Sequence, residues 1–72
     1  MPELRGFSGQ QAVNILIKMG FIVSRKAKGS HVILKRGELV CVVPMHIELA
    51  VGTLRNALRQ AKISPEEFLK NS

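Results

Sequence analysis

The amino-acid sequence predicts an α+β fold in which helices cover a three-stranded antiparallel sheet. A segment with apolar residues at helical spacing comes first, and three short β-branched segments follow it. A second helical segment and a short closing helix complete the chain, so the predicted order is α-β-β-β-α with a short C-terminal helix. Because no linker, repeat or change in composition divides the chain, we expect a single domain over residues 1–72.

The first helix has clear signals at both ends. Ser8 and Gln11 have the spacing of a capping box, and Gly20 is a typical C-terminal stop. Between them, one apolar stripe follows the helical repeat and contains Ala12, Ile15, Leu16 and Met19. Val13 and Ile17 widen this stripe, so we expect the helix to be buried on more than one side.

The three predicted strands are residues 21–26, 31–35 and 38–43. A two-residue turn at Arg36 and Gly37 would join the last two strands and place Lys35 opposite Glu38. Strand alternation then divides the side chains between two faces. The predicted core face contains Val32, Leu34, Leu39 and Cys41. The opposite face contains His31, Ile33, Lys35, Val40 and Val42.

This assignment makes Cys41 a small buried hydrophobic residue rather than a reactive thiol. It also makes the opposite face unusually apolar for a surface in contact with water, because Ile33, Val40 and Val42 lie there. Either the closing helix covers this face, or a partner protein or a second copy of the chain does.

The second helix is predicted to begin near Gly52 and Thr53. Its apolar stripe contains Leu54, Ala57, Leu58 and Ala61, whereas another face carries Arg55, Arg59 and Lys62. Ser64 caps the closing helix, and Pro65 takes its first position. We expect that helix to dock through Phe68 and Leu69.

The charge distribution favours a polyanionic partner. Eleven Lys and Arg against five Asp and Glu give a net charge of +6, and residues 25–36 carry five cations and no acid. Such a surface attracts nucleic acid through phosphate neutralisation, although an acidic protein or an anionic lipid surface would suit it too. The absence of Trp and Tyr argues against a base-stacking platform of the single-strand-binding type.

Three features favour a cytoplasmic location. The longest apolar run is far shorter than the ~18 residues of a membrane span. The N-terminal residues lack the basic-then-apolar order of a signal peptide. A single cysteine cannot form an internal disulfide, so nothing suggests an oxidising compartment.

The order of elements is that of a double-stranded-RNA-binding domain, although the usual lysine-rich start of the second helix is missing. The segments KGSHVILKRG, VVPMHIELAVGTLRNALRQAKIS and PEEFL resemble more specifically the HicA-like (YcfA) family of messenger-RNA interferase toxins. The resemblance extends from about Gly9 to Leu69. Two positions depart from the family pattern: Ile47, where a basic or polar residue is common, and Lys62, where Gly is usual.

The resemblance implies a double-stranded-RNA-binding-like fold, RNA cleavage without metal or other cofactor, and a HicB-like antitoxin that covers the active site. It also implies that His31 of the Gly-Ser-His triplet is the catalytic residue. RNA carries its own nucleophile, the 2′-OH, which a histidine base can deprotonate for attack on the adjacent phosphate. Groups expected to bind RNA or offset phosphate charge are Lys26, Lys28, Gly29, Ser30, Lys35, Arg36 and Arg55.

Several alternatives remain at the level of sequence. His46 is a second candidate acid or base, but a histidine in a loop more often only hydrogen-bonds that loop. A metal site built from His31, Cys41 and His46 is not expected, because strand alternation sends His31 and Cys41 to opposite faces. The protein as a whole would otherwise be a non-catalytic RNA-binding module, or a basic adaptor for an acidic protein.

Overall fold

A computed structural model describes residues 3–27 and 29–72, with the side chains of residues 26 and 27 excepted. The elements, in order, are α1 (Gly9–Lys18), β1 (Ile22–Ala27), β2 (His31–Arg36), β3 (Leu39–Pro44), α2 (Val51–Ala61) and α3 (Pro65–Lys70). The strands form one antiparallel sheet in the order β1-β2-β3. This arrangement confirms the predicted α+β, double-stranded-RNA-binding-like fold.

The ends of α1 form as predicted. The Ser8 hydroxyl accepts from the backbone N–H of Gln11 (3.0 Å), while the Gln11 side chain accepts from the backbone N–H of Ser8 (2.9 Å). At the other end, Gly20 has a φ of +100°. The N–H groups of Gly20 and Phe21 donate to the carbonyls of Ile17 and Leu16, both at 3.0 Å, which is the bonding pattern of a Schellman motif.

The predicted hairpin register is wrong by two residues, although the predicted faces are right. The turn residues are Gly37 and Glu38, so Lys35 lies opposite Val40 instead of Glu38. Gly37 has a φ of +60°, and Glu38 is not among the described residues with positive φ. Gly at the first central position with positive φ there alone is typical of a type II′ turn. A shift of two residues leaves every side chain on the same face of the sheet.

The core lies between one face of the sheet and the two longer helices. Helix α2 packs most extensively on β3, and α1 packs more lightly on β1 and β3. The sheet contributes the buried side chains of Val32, Leu34, Cys41 and Val43 to this core. Burial of Cys41 confirms its predicted role as a small core residue. The predicted stripe of α2 is likewise buried throughout.

Helix α1 was expected to be buried on more than one side, through Val13 and Ile17. This prediction is confirmed for Val13 and is wrong for Ile17. Val13 is buried, whereas the Ile17 side chain is 46% exposed. The reason is geometric: β1 has a register irregularity between Val23 and Arg25, and α1 contacts this strand only lightly. Val23 lies opposite Leu34 of β2, yet Val23 itself remains 43% exposed. The space between α1 and β1 therefore stays open.

Helix α3 does not cover the other face of the sheet. Ser64 caps it as predicted, forming a capping box with Glu67, and the helix packs against α2. Phe68 is fully buried, and its ring meets that of Phe7 edge-on at 5.2 Å between centroids. Val40 on the opposite face stays 43% exposed. Of the two predicted explanations for that apolar face, burial under the closing helix is wrong.

Helix α2 also protects an edge of the sheet. The backbone N–H of Val42 in the edge strand β3 donates to Oε1 of Gln60 (3.1 Å). A side chain bonded to an edge strand in this way occupies a position that another strand would need. Among the residues that the structure describes, no helix has the length and apolar character needed to cross a membrane.

Candidate active site

His31 is the first residue of β2 and is exposed to solvent. It pairs with Ala27 of β1 on one side and with Pro44 of β3 on the other. The preceding residues, Gly29 and Ser30, form an exposed turn between β1 and β2. Neighbouring strands on both sides therefore hold the backbone of His31, while its side chain remains accessible from solvent.

His31 lines a cleft of about 410 Å³ that we call the α1–β2 cleft. This volume falls in the lower part of the range of ~300–1,000 Å³ that is usual for small-molecule sites. One part of the lining is the Gly-Ser-His triplet, Gly29 to His31. The remaining lining residues are mainly apolar and comprise Gln10, Val13, Ile17, Val23, Val32 and Met45. The cleft thus joins a titratable side chain and a glycine-containing turn to an apolar wall.

The start of α1 is held against the segment that follows β3, which forms one side of the cleft. The N–H of Gly9 donates to the carbonyl of His46 (2.9 Å). A Cβ at position 9 would overlap the Pro44 carbonyl oxygen and come within 2.7 Å of the Met45 Cα. Only glycine permits this close approach of two backbones. Since the Met45 N–H also donates to the Ser30 carbonyl, the same segment links α1 to the Gly-Ser-His triplet.

His46 lies near this site but outside the lining of the cleft. Its side chain is exposed, and its backbone carbonyl accepts the bond from Gly9. Within the described part of the chain, the His46 imidazole makes no hydrogen bond, and neither does that of His31. The backbone of His46 therefore has a structural role, while a role of its side chain as acid or base stays a prediction.

The predicted RNA-binding cations lie in different parts of the molecule. Lys35 is exposed on β2, and Arg55 is exposed in the second turn of α2. Neither makes an ion pair within the described residues, where the single ion pair joins Arg5 and Glu3. Both side chains are thus available to phosphate. Lys28 lies outside the described residues, and so does the side chain of Lys26.

Arg36 has contacts within its own chain. Its Nη1 donates to the Met19 carbonyl at the end of α1 (2.8 Å), and its Cζ lies 4.8 Å from the centroid of the Phe21 ring. Arg36 is at the opposite end of β2 from His31, roughly 16 Å away at ~3.3 Å per residue. The guanidinium therefore ties the hairpin to α1, a role that no sequence signal indicated. Its predicted contact with RNA would be distant from the cleft.

Cys41 has no part in this site. It is fully buried in the core, and loss of solvation raises the pKa of its thiol from 9.0 to about 11. Such a thiol is protonated at neutral pH and is a poor nucleophile. Among the residues that the structure describes, no three His, Cys, Asp or Glu side chains come together as metal ligands.

Sequence reasoning missed most of the apolar lining of the cleft. Ile17 and Val23 were expected only as parts of a helix stripe and a strand, and Gln10 carried no signal at all. Apolar and polar residues alternate only weakly along β1. This is the one sequence pattern that could have indicated an irregular strand with an exposed apolar residue. Gly9 directly follows the capping residue Ser8, and many residue types are acceptable at that position of a helix. The sequence therefore did not indicate the close contact of Gly9 with the backbone of Pro44 and Met45.

A comparison with protein-family models matches residues 9–63 to the HicA toxin of bacterial toxin–antitoxin systems. A comparison with curated proteins finds no match. The matched segment begins at Gly9, where α1 meets the segment after β3, and contains the whole lining of the α1–β2 cleft. It covers 55 of the 72 residues, counting from 9 to 63 inclusive. The chain therefore belongs to the HicA toxin family, and this membership implies an antitoxin partner.

Proposed function

We propose that this protein is a messenger-RNA interferase toxin that cleaves single-stranded RNA without a metal ion. The observation that carries the proposal is the α1–β2 cleft, which combines exposed His31 with the Gly29–Ser30 turn inside the segment matched to the HicA family. Histidine is the side chain best suited to exchange protons near neutral pH. An accessible histidine in a cleft of a basic protein suits a substrate whose nucleophile needs only deprotonation.

In the proposed mechanism, His31 acts as general base towards the 2′-OH next to the cleaved bond. The 2′-oxygen attacks the phosphorus, and the bond from phosphorus to the 5′-oxygen of the next nucleotide breaks. The products are a 2′,3′-cyclic phosphate and a free 5′-OH, once the leaving oxygen takes a proton from water or from an acid. His46 is the candidate for that acid because its loop adjoins the site.

Charge on the phosphate rises during this reaction, so nearby donors and cations would stabilise the transition state. The backbone N–H groups of Gly29 and Ser30 are in the turn before His31, where the chain is exposed to an incoming phosphate. Lys35 and Arg55 supply further positive charge, and Lys26 and Lys28 add to it in the sequence around the triplet. Their combined role would be to hold the RNA backbone across the cleft.

The proposed partner is a HicB-like antitoxin that covers the cleft. His31, Gly29 and Ser30 are all exposed, so a protein bound over them would exclude RNA. A net charge of +6 favours a partner surface rich in carboxylates, which competes with phosphate for the same cations. Addition of such a partner in equal amount should therefore stop cleavage.

The proposed chemistry is tested by RNA cleavage in EDTA, with wild type beside His31→Ala and His31→Gln. We expect the wild type to cleave and both variants to lose at least a hundredfold in rate, since general bases contribute ~10²–10⁴-fold. Products of the wild type should end in a 2′,3′-cyclic phosphate. His46→Ala is tested beside these variants as the candidate acid: a loss of tenfold or more would assign His46 that role, and an unchanged rate would exclude it.

Cleavage by both His31 variants at the wild-type rate would exclude His31 as the base. If no protein cleaves but each binds RNA in a salt-sensitive manner, the chain is instead a non-catalytic RNA-binding module. Little affinity for RNA at any salt concentration would favour the basic adaptor. Circular dichroism of each variant checks that its fold is intact.

A further inference from the structure

The apolar wall of the α1–β2 cleft has no part in the chemistry proposed for His31. Phosphoryl transfer needs a base, an acid and groups that stabilise charge, and none of these is aliphatic. Ile17 and Val23 nevertheless line the same cleft as His31, and their side chains are 46% and 43% exposed. Two large, accessible apolar side chains beside a phosphate-binding site indicate a ligand with an apolar part.

The backbone geometry keeps this wall open. The register irregularity between Val23 and Arg25 interrupts β1 beside α1, and α1 touches this strand only lightly. The neighbouring positions Val13 and Val32 are buried, so the floor of the cleft is solid core. The cleft is therefore a depression in a packed surface, with the triplet of His31 at one side and the pair Ile17 and Val23 at the other.

We propose that the α1–β2 cleft binds one nucleobase of a single-stranded RNA, from a nucleotide that flanks the cleaved bond. This inference rests on the proposed ribonuclease function. A nucleobase has two apolar faces and a polar edge, and proteins hold unstacked bases between apolar side chains with hydrogen bonds to that edge. Ile17 and Val23 contact the faces. Bases paired in a duplex are stacked and cannot enter, so the cleft selects single strands.

Gln10 supplies the polar contact that a base edge requires. Its Nε2 donates to Oδ1 of Asn14 one turn along α1 (2.9 Å), which holds the amide in a fixed orientation. The Oε1 atom accepts no hydrogen bond from the described residues, and the second N–H of Nε2 is also available. A side-chain amide with one acceptor and one donor presents the pair of groups that matches a base edge such as that of adenine.

Binding of an uncleavable strand tests this site independently of catalysis. The probes are a short single strand of 2′-deoxynucleotides, which lacks the nucleophile, and an abasic strand of the same length and charge. We expect the wild type to bind the base-containing strand at least tenfold more tightly, because the abasic strand lacks both the faces that would contact Ile17 and Val23 and the edge that would bond to Gln10. Ile17→Ser should weaken binding of that strand about threefold to tenfold and leave the abasic strand unaffected.

Ile22→Ser is the matched control. It makes the same chemical change at a β1 residue that is 67% exposed and outside the cleft, so its affinity for both strands should equal that of the wild type. Equal wild-type affinity for the two strands would overturn the nucleobase site, as would an equal effect of Ile17→Ser on both. Failure of the ribonuclease proposal appears differently, as absence of RNA cleavage by the wild type.

Discussion

Lys62 adopts a backbone conformation that L-amino acids other than Asn and Asp seldom take. Its φ is +60° and its ψ +37°, and it is the one described non-glycine residue with positive φ. Its N–H donates to the Arg59 carbonyl, and the Ile63 N–H donates to the Leu58 carbonyl. These are the same two bonds that Gly20 and its neighbour make at the end of α1. Lys62 thus occupies a glycine position, consistent with the glycine usual there in the family it resembles.

Replacement of Lys62 by Gly should therefore stabilise the protein. We expect the free energy of unfolding to rise by about 1 kcal/mol, since a side chain costs ~1–2 kcal/mol in the left-handed region. Urea denaturation of Lys62→Gly against the wild type measures the difference. Lys62→Ala is the control, because it removes the same charge but keeps a Cβ; a gain of equal size in that variant would contradict the backbone explanation.

The thiol of Cys41 should be inert in the folded protein. Burial raises its pKa to about 11, so the reactive thiolate is scarce at pH 8 and is shielded as well. We expect labelling by a thiol-specific reagent to be at least a hundredfold slower in the native protein than in urea.

The same pKa shift links stability to pH. Between pH 9 and about 11 the unfolded chain loses the Cys41 proton while the folded protein retains it, so the free energy of unfolding should fall as the pH rises through this range. Cys41→Ala should show a smaller decrease over the same range. An identical pH dependence in both proteins would exclude the thiol as the cause.

Among single residues, local chemistry was predictable and long-range contacts were not. Ser8 and Ser64 cap their helices as predicted, because a capping box depends on residues three positions apart. Arg36 bonds to Met19, seventeen residues away in the chain, a contact that the sequence did not indicate. No local pattern encodes such a contact.

At the scale of elements, the contact between α1 and the segment after β3 organises one side of the cleft. This contact requires Gly9, where an added Cβ would overlap the backbone of Pro44 and Met45. Backbone cannot move aside as readily as the end of a flexible side chain. Any larger residue must therefore displace α1 or the segment that leads to His46.

We expect Gly9→Ala to lower the free energy of unfolding by about 1–3 kcal/mol, the usual range for overpacking. Urea denaturation provides the measurement. Gly52→Ala is a matched control in the first turn of α2, where nothing lies within 4 Å of the new Cβ. That control should not destabilise the protein, because Ala has the higher helix propensity. Equal stability changes in the two variants would show that the Gly9 contact is unimportant.

The β2–β3 hairpin shows which properties of an element its own sequence can predict. Alternation assigned Val32, Leu34 and Cys41 to the core face, and all three are buried. The register was wrong by two residues, because Gly37 suits either position of a two-residue turn. A type I′ turn at Arg36-Gly37 would need positive φ at both residues, whereas the type II′ turn at Gly37-Glu38 needs it at Gly37 alone. A slip of two residues preserves the faces, so the hydrophobic pattern cannot distinguish the two registers.

At the scale of the whole molecule, the positive charge is spread over both ends of the sheet. Arg55 lies in the second turn of α2, after the loop that contains His46, whereas Lys18 ends α1 near the hairpin. Long-range attraction of RNA depends on all of these charges. Contact with individual phosphates depends only on those near the bound strand.

Salt dependence of RNA binding distinguishes the two contributions. In a His31→Ala background that leaves the RNA intact, log affinity should fall linearly with log salt concentration, by ~0.7 for each phosphate contact to a single strand. We expect Arg55→Ala to reduce this slope by about 0.7, and Lys18→Ala, which removes an equal charge, to leave it almost unchanged. Equal slopes for the two variants would exclude a phosphate contact by Arg55.

The amino-acid sequence was enough to predict the kind and order of the elements, the core face of the sheet, the family and the candidate catalytic residue His31. These properties depend on spacings within one element or on a short motif. By contrast, the exposure of Ile17 and Val23 and the cleft that they share with His31 depend on how the elements pack in the folded protein. Periodicity records which side of an element is apolar, but whether that side is covered depends on the distance and angle between elements far apart in the chain. Here the irregular β1 and the close approach at Gly9 set that geometry.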